Sequence, residues 1–286
     1  MPDAAARTAP PLPAAVEAFE RMAPDFDARF GAWESVAAQR RAVRRYLLAA
    51  FPTGARLLEL AGGTGEDALF LAAEGRTVVL TDGSPAMVAR ASAKAAQAGL
   101  GHRVTTRQLL LEELESTAHR MEAGGAFDGA YANFAGLNCV ADLRPVARGL
   151  ARLLPEGAPV LLVVFGPLPP GEILTQLLRG RPGHALRRLR RRGAAARVDG
   201  AGFQVHYPTP RSVARSFSPW FRRVRVRGIG VLVPPSAAEP FISRAPLLVR
   251  TLERMDRLLA MPLALLGDHV LLHLVRTAIP AGQDAA

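Results

Sequence analysis

The stretch RLLELAGGTGEDALFLAAE, residues 56–74, predicts a strand, a glycine-rich turn and a helix in direct succession. Arg56–Leu60 is a short apolar run that contains one acid, and residues 61–65 carry three glycines. Residues 66–74 form a largely apolar helical stretch that Gly75 ends. In an open α/β sheet such a turn lies at the carboxyl edge, where ligands bind. The stretch therefore predicts a fold class and the position of a ligand site.

The same alternation of strands and helices continues along the chain. TVVLT at 77–81 is rich in β-branched residues, and Ser84 and Pro85 can cap and begin the helix that follows. Further strand candidates lie at 103–108, 127–133, 158–165, 222–233 and 269–275. The pattern predicts an α/β fold: a doubly wound, Rossmann-like, mostly parallel sheet with an antiparallel last strand and helical lid insertions.

The composition indicates a folded chain with one concentrated basic segment. With 286 residues, 49% of them hydrophobic, the chain is not predominantly disordered, and its single cysteine, Cys139, excludes an intrachain disulfide. The net charge is +11, and Arg179–Arg227 holds fourteen arginines against one acid, which leaves the rest of the chain near neutral. Three interpretations of this segment stay open: a solvated face, an electrostatic lid that attracts an anionic group or lipid surface, and an RNA-binding surface.

No targeting or membrane segment is evident in the sequence. The first twenty residues lack the apolar core of a signal peptide. The longest apolar runs, 159–165 and 258–266, are shorter than the ~20 residues that span a bilayer. We therefore expect a cytoplasmic protein without a transmembrane segment.

The acids of the glycine turn discriminate between two cofactors. A Gly-x-Gly-x-x-Ala pattern from Gly63 matches the dinucleotide fingerprint, so NAD must be considered. A pyrophosphate would meet Glu59, Glu66 and Asp67 within ten residues, and like charges at close range reduce affinity. A ligand that carries an ammonium and a sulfonium would be attracted instead. The turn therefore favours S-adenosyl-L-methionine, with S-adenosyl-L-homocysteine as the product, and leaves a nicotinamide-dependent reductase as a remote alternative.

A second acid follows the next predicted strand. Asp82 lies 23 residues after Glu59, just beyond TVVLT. A carboxylate at this position can accept hydrogen bonds from both hydroxyls of a ribose, because its two oxygens match a vicinal diol. This interpretation suits either cofactor.

Several segments together resemble the class I S-adenosylmethionine-dependent methyltransferases. LLELAGGTGEDALFLA (57–72) resembles their first motif, LTDGSPAMVARA (80–91) their acidic-loop motif and FDGAYANFAGLN (127–138) their fourth-strand motif. FERMAPDFDARF (19–30) is similar to the N-terminal stretch of the quinone-biosynthesis type. The resemblance covers residues 15–165 and is specific for the superfamily, but not for the substrate.

The resemblance implies a set of cofactor contacts. Glu59 and the turn would face the methionine part, Asp82 would hold the ribose, and Leu110 and Leu111 would flank the adenine. The full implied set is Phe26, Glu59, Ala61, Gly63, Gly65, Asp82, Gly83, Ser84, Met87, Leu110, Leu111, Asn133 and Phe134. Three positions depart from the family pattern: Ala61 replaces a usual glycine, Leu110 a frequent acid and Phe26 a common tyrosine.

The sequence gives less information about the methyl acceptor and the catalytic base than about the cofactor. The run from Asn133 is not the Asn-Pro-Pro-aromatic motif of enzymes that methylate exocyclic amines of nucleic acids. No paired-histidine motif is present, so no metal is predicted. For an acceptor that must lose a proton, His206 beside Tyr207 is the first candidate base and Asp268–His269 the second. A methyltransferase that acts on a small molecule is therefore favoured, with an anionic acceptor as one option.

The predicted organisation has four parts. Residues 1–30 form an N-terminal arm and cap helix, 31–166 the cofactor-binding core, 167–206 a basic lid insertion and 207–286 the end of the core. A helical insertion at 234–262 lies inside the last part, and its apolar repeat is Leu248, Leu252, Met255 and Leu259. The acceptor pocket is expected between the N-terminal helix and both insertions. An RNA methyltransferase and a non-catalytic cofactor-binding module stay as alternatives, and the oligomeric state stays open.

Overall fold

The computed structural model describes residues 11–278 except 123, 135, 191, 192, 199 and 240. The α-helices are α1 Ala14–Met22, α2 Phe26–Phe30, α3 Glu34–Ala50, α4 Glu66–Ala73, α5 Pro85–Gln97, α6 Leu114–Glu122, α7 Arg144–Leu153, α8 Pro170–Leu178, α9 Pro182–Ala185, α10 Pro210–Phe217 and α11 Pro246–Leu259. The strands are β1 Arg56–Leu60, β2 Thr77–Asp82, β3 Val104–Gln108, β4 Gly129–Ala132, β5 Pro159–Phe165, β6 Ala194–Val198, β7 Ala201–Val205, β8 Phe221–Ile229 and β9 His269–Arg276.

Seven strands form one sheet in the order β3-β2-β1-β4-β5-β9-β8. The first five are mutually parallel, and the last strand, β9, runs antiparallel to both β5 and β8. The fold-class prediction is confirmed. Since the chain order reverses beside β1, the turns that follow β1 and β4 open at the same edge of the sheet, where α/β proteins bind ligands.

The sheet is buried on both faces because its central strands are apolar at nearly every position. Neighbouring residues of one strand point to opposite faces, so Leu57 and Leu161 belong to one hydrophobic core whereas Leu58 and Leu162 belong to the other. Burial of each such side chain contributes about 1.5–3 kcal/mol relative to exposure. Two cores on one sheet explain why strands as short as β4 are stable.

The connection after β5 contains structure that the sequence pattern did not predict. Within the 167–206 segment, β6 and β7 form an antiparallel hairpin, registered from Ala194 opposite Val205 to Val198 opposite Ala201. The hairpin packs on α1, where the rings of Phe203 and Phe19 are 6.0 Å apart. Alanine and glycine dominate these strands, so their composition lacks the β-branched signal that marks the other strands.

A buried arginine attaches the same segment to the sheet. The guanidinium of Arg188 donates to the backbone oxygens of Gly166 (3.1 Å) and Asp268 (2.6 Å). It also donates to the carboxylates of Asp268, at 2.6 Å, and Glu172. All three side chains are buried. Burial alone would raise the pKa of Asp268, but the adjacent charges of His269 and Arg188 hold it below its usual value.

No helix in the described part of the chain is both long and apolar enough to cross a membrane.

Replacing Arg188 tests whether this cluster holds the insertion in place. Arg188→Met keeps the side-chain volume but leaves two buried carboxylates without their shared countercharge, so we expect a loss of about 3 kcal/mol in unfolding free energy. Urea unfolding at neutral pH measures it. Arg190→Met is the matched control, because Arg190 is exposed, and we expect it to change stability by less than about 0.5 kcal/mol. Equal losses in both variants would contradict a structural role for the cluster.

Candidate functional site

The turn after β1 adopts a backbone that brings main-chain atoms close to the sheet edge. Ala61, Gly63 and Gly65 have positive φ values of 51°, 56° and 82°. A Cβ on Gly63 would meet nothing within 4 Å, whereas one on Gly65 would lie 3.1 Å from Ala91. The space above Gly63 is therefore open to a ligand, and Gly65 is needed for close packing on α5. Ala61, where a glycine is usual, holds the left-handed conformation despite its Cβ.

A mostly apolar cavity of about 740 Å³, its open mouth included, lies over this turn. The N-terminal segment forms one wall and the ends of the central strands form the other. The residues that line the cavity are Pro13, Ala15, Val16, Phe19, Phe26, Ala61, Gly63, Asp82, Gly83, Met87, Leu110, Leu111, Glu112, Phe134, Gly136, Cys139 and Val140. None of the residues that the structure describes within 167–206 or 234–262 lines the cavity, and the β6–β7 hairpin packs on α1.

Asp82 connects two turns at the edge of this cavity. Its Oδ2 accepts a hydrogen bond from the backbone N–H of Gly63 (2.8 Å) and its Oδ1 accepts one from Ser84 (2.9 Å). Burial raises the pKa of Asp82, and the two backbone N–H groups only partly oppose that rise. Each oxygen keeps a second lone pair, so the carboxylate retains the capacity to accept from a ligand.

Glu59 is a buried acid with unsatisfied hydrogen-bonding capacity. Within the described part of the chain its Oε2 makes no well-aligned hydrogen bond. The hydroxyl of Tyr131 on the adjacent strand is close enough to interact with the Glu59 carboxyl, and this interaction opposes part of the rise in its pKa. Burial and the nearby charge of Asp67 raise the pKa of Glu59 well above its usual value. A buried polar atom without a partner costs about 1–3 kcal/mol. Such a cost is typical of a residue kept for a ligand rather than for stability.

A charged cluster lies behind the turn, at the start of α4. Asp67 accepts hydrogen bonds from Arg40 (2.8 Å) and Arg44 (2.7 Å) of α3 and from the amide of Asn133 (2.7 Å). Arg40 also lies over the ring of Phe134, 5.1 Å from its centre. The cluster holds α3 against the turn and orients the residues that follow β4.

Two carboxylates attach the N-terminal helices beside the cavity. Glu20 of α1 accepts from the backbone N–H of Ala86 (2.9 Å) and from the hydroxyl of Ser84, so it caps α5 from another part of the chain. Asp27 of α2 accepts from Thr64 (2.5 Å) in the glycine turn and pairs with Lys94 (3.1 Å), the only lysine in the sequence. The wall formed by α1 and α2 is therefore attached to the elements that form the turn.

The structure brings nine of the thirteen proposed cofactor residues into the cavity lining. They are Phe26, Ala61, Gly63, Asp82, Gly83, Met87, Leu110, Leu111 and Phe134. The other four lie behind this surface. Glu59 is buried at the end of β1, Gly65 caps α4, Ser84 caps α5, and Asn133 donates to Asp67.

The two residues proposed for catalysis are outside the lining. The backbone N–H of His206 donates to the carbonyl of Asn138 (2.7 Å), and the side-chain amide of Asn138 donates to the carbonyl of His206 (2.7 Å). The ring of Tyr207 lies 5.8 Å from that of Phe165. His269, from the second proposed pair, is buried between Phe165 and Phe134, and burial lowers its pKa to about 4. Its imidazole is neutral at physiological pH. The catalytic assignment of His206 and Tyr207 stays a prediction.

Eight lining residues were not among the predicted cofactor contacts. Four belong to the segment around α1, where isolated apolar residues such as Val16 and Phe19 resemble any helix face. Cys139 also lines the cavity, and burial together with the charges of Asp82 and Glu112 raises its pKa to about 12. Its thiol is therefore protonated at neutral pH and is a poor nucleophile. Across the described residues, no group of three or more histidine, cysteine or acidic side chains could hold a metal ion.

Comparisons with known proteins agree on the fold. Residues 57–157 match the family model described as a methyltransferase domain. The chain is similar in fold to the [4+2]-cyclase SpnF, at 14% identity and a TM-score of 0.56 over 95% of this chain and 100% of that one. It is also similar to an S-adenosylmethionine-dependent methyltransferase from Mesorhizobium loti (19% identity, TM-score 0.51, 83% of this chain and 98% of that one). A third similar structure is geranyl diphosphate C-methyltransferase from Streptomyces coelicolor A3(2) with S-adenosyl-L-homocysteine (12% identity, TM-score 0.50, 83% and 81%). No curated protein sequence matches the chain.

The raised pKa of Glu59 predicts a pH-dependent gain in stability for Glu59→Gln. The folded carboxyl keeps its proton to a higher pH than the unfolded one, so the stability of the wild type falls as pH rises above the unfolded value. Because the glutamine of Glu59→Gln does not ionise, the stability of the variant does not fall in this way as the pH rises. We expect its unfolding free energy, relative to the wild type, to increase as the pH rises above the unfolded value, by at most about 1.4 kcal/mol per pH unit.

Urea unfolding of the ligand-free protein at several pH values measures this difference. Glu74→Gln is the control, because Glu74 is an exposed acid at the end of α4. A Glu59→Gln profile parallel to the wild type would show that the folded carboxyl is ionised.

Proposed function

We propose that this chain, which carries a class I S-adenosylmethionine-dependent methyltransferase domain, transfers the methyl group to a small-molecule acceptor. The observation that carries the proposal is the partly covered cavity, because α1 and α2 form one of its walls and are attached to the glycine turn by Glu20 and Asp27. A narrow apolar space of this kind suits a small molecule better than a nucleic-acid strand.

The residues at the sheet edge fit the cofactor. Asp82 retains acceptor capacity for the ribose hydroxyls, and the open space at Gly63 admits close approach to the backbone. Leu110 and Leu111 offer an apolar surface for the adenine, and the unpartnered oxygen of Glu59 suits a cationic group at the end of β1. When bound, the cofactor supplies a methyl group already activated by its sulfonium.

The rest of the lining supports a largely apolar acceptor. Phe19, Phe26 and Phe134 provide aromatic surface, and Val140 adds an aliphatic side chain. The ionised side chains expected in the lining are acids, so a neutral or cationic acceptor is favoured over an anionic one. In this arrangement the chain excludes water and aligns the acceptor atom with the methyl group, and such positioning supplies much of the rate enhancement.

Replacing Asp82 tests the cofactor assignment. Asp82→Ala removes the acceptor for two ribose hydroxyls, and hydrogen bonds to a charged group contribute about 1.5–3 kcal/mol each. We expect the affinity for S-adenosyl-L-methionine and S-adenosyl-L-homocysteine, measured by calorimetry, to fall by roughly tenfold or more. Asp142→Ala is the control, because Asp142 is an exposed acid that pairs with Arg144. Binding of NADH alone by the wild type would overturn the cofactor assignment.

An acceptor screen then tests the proposed function. Formation of S-adenosyl-L-homocysteine is measured with neutral, cationic and anionic small molecules, and with RNA. Turnover with an apolar small molecule is the expected outcome. Turnover only with RNA would favour the nucleic-acid alternative, and cofactor binding without turnover on a broad panel would favour a non-catalytic module.

Replacing His206 tests its predicted role as a base. Since its ring is outside the lining, we expect His206→Ala to lower kcat by less than about tenfold, whereas loss of a true general base costs roughly 10²–10⁴-fold. The measurement is kcat against pH with the acceptor found in the screen. A loss above a hundredfold, together with disappearance of a basic limb in the profile, would restore the assignment. His102→Ala is the control, because His102 is exposed before β3.

A further inference from the structure

Helix α8 buries polar side chains and exposes apolar ones. Its buried residues are Glu172 and Gln176, and Glu172 pairs with Arg188 and with Arg187 (2.6 Å). Its exposed residues are Leu174, Leu177 and Leu178, and Leu178 is 80% exposed. The usual orientation of an amphipathic helix is therefore reversed, because ion pairs rather than leucines hold α8 on the protein.

Helix α11 also buries acids, beside one apolar residue, Val249, that packs in a small cluster with Ala38 of α3. Glu253 is buried against α3, where it pairs with Arg41 (3.0 Å) and Arg45 (3.0 Å). Asp256 is buried too and accepts hydrogen bonds from the backbone N–H groups that follow β8. The exposed apolar residues of the helix are Leu247, Leu248, Met255 and Leu258. At 100° per residue these four span about a third of the helix circumference, on the side away from the buried acids.

The two helices belong to one side of the molecule. The loop at 231–235 contacts both of them, since Asp256 binds its start and α8 packs against its end. The exposed Met261 and Leu265 follow α11, and the backbone N–H of Leu168, just before α8, donates to Leu265 (3.3 Å). We call this surface, formed by α8, α11 and residues 261–265, the leucine–arginine face.

The ionised side chains exposed on and beside this face are arginines. Arg179, Arg181 and Arg190 follow α8, and Arg250, Arg254 and Arg257 flank the apolar side of α11. The carboxylates of described residues 167–190 and 241–266 are Glu172, Glu253 and Asp256, and all three are buried. Apolar side chains are thus interspersed with cations, with no exposed carboxylate in these two ranges.

We propose that the leucine–arginine face binds the surface of a lipid bilayer with anionic headgroups. An exposed apolar side flanked by arginines is the pattern of helices that lie in a membrane interface. The leucines and methionines enter the acyl boundary, and the arginines bind headgroup phosphates through their bidentate guanidinium groups. A second copy of the chain is a poorer occupant, because a symmetric contact would bring arginines against arginines.

Cosedimentation with vesicles tests this binding, and it does not depend on methyl transfer. We expect the wild-type chain to bind vesicles of phosphatidylcholine mixed with phosphatidylglycerol, and not vesicles of phosphatidylcholine alone. Added salt should weaken the binding. Leu178→Gln/Leu258→Gln removes one fully exposed leucine from each helix, and we expect roughly tenfold weaker partitioning or more. Circular dichroism and the unfolding temperature of this variant should match the wild type, since both positions are exposed.

Two double variants test whether vesicle binding depends on the arginines of this face or only on the net positive charge of the chain. Arg250→Gln/Arg254→Gln should weaken binding roughly thirtyfold, because each cation near an anionic membrane contributes about 1 kcal/mol. Arg107→Gln/Arg120→Gln removes the same charge near β3, at the opposite end of the sheet, and should leave binding unchanged.

Three results would overturn the proposal. The first is that the wild-type chain does not bind anionic vesicles at low salt. The second is that the two charge variants lose binding to the same extent. The third is that the leucine variant binds as tightly as the wild type. A dimer that the leucine variant dissociates, in a chain that binds no vesicles, would assign the face to a second copy instead.

Discussion

The hydrogen bond from the backbone N–H of Gly63 to the carboxylate of Asp82 is the contact on which the site depends. It joins the turn after β1 to the end of β2, and the same carboxylate accepts from Ser84 at the start of α5. Two loops of a parallel sheet therefore share one acceptor, and the turn keeps its left-handed residues in place. Together with the hydrogen bond from Gly62 N–H to the carbonyl of Thr81 (2.9 Å), this contact fixes the backbone of the turn over the cavity.

Ion pairs determine how the helices around this sheet are oriented. Asp67 holds α3 through Arg40 and Arg44, Glu253 holds α11 on α3, and Arg188 joins Glu172 to Asp268. A buried pair adds little net stability compared with apolar packing, but breaking one costs about 3–5 kcal/mol. Such pairs are specific in geometry, and they can turn the apolar side of a helix towards solvent.

The candidate site illustrates how function opposes stability in this fold. Glu59 and Tyr131 are buried with unsatisfied polar atoms, and a protein selected for stability alone would place apolar residues there. These two polar groups lie on adjacent strands, while the hydrophobic cores on both sides of the sheet contain apolar residues with high burial. The buried polar groups that cost stability and the apolar packing that offsets this cost therefore lie within one sheet, a few residues apart.

The sequence by itself determined the elements whose signals are local. Strand, glycine turn and helix at 56–74, the acid after β2 and the α/β alternation depend on neighbouring residues, and the observed elements match them. Only the tertiary structure decided which segments meet. Val16 and Phe19 join the cavity, and His206 stays outside it. Helix α11 exposes Leu248 and Met255 of its apolar repeat, whereas Leu252 packs towards α3. The physical reason is that periodicity shows that a helix has two different sides, whereas the side that is buried depends on charges far away in the chain, such as Arg41 and Arg45 opposite Glu253.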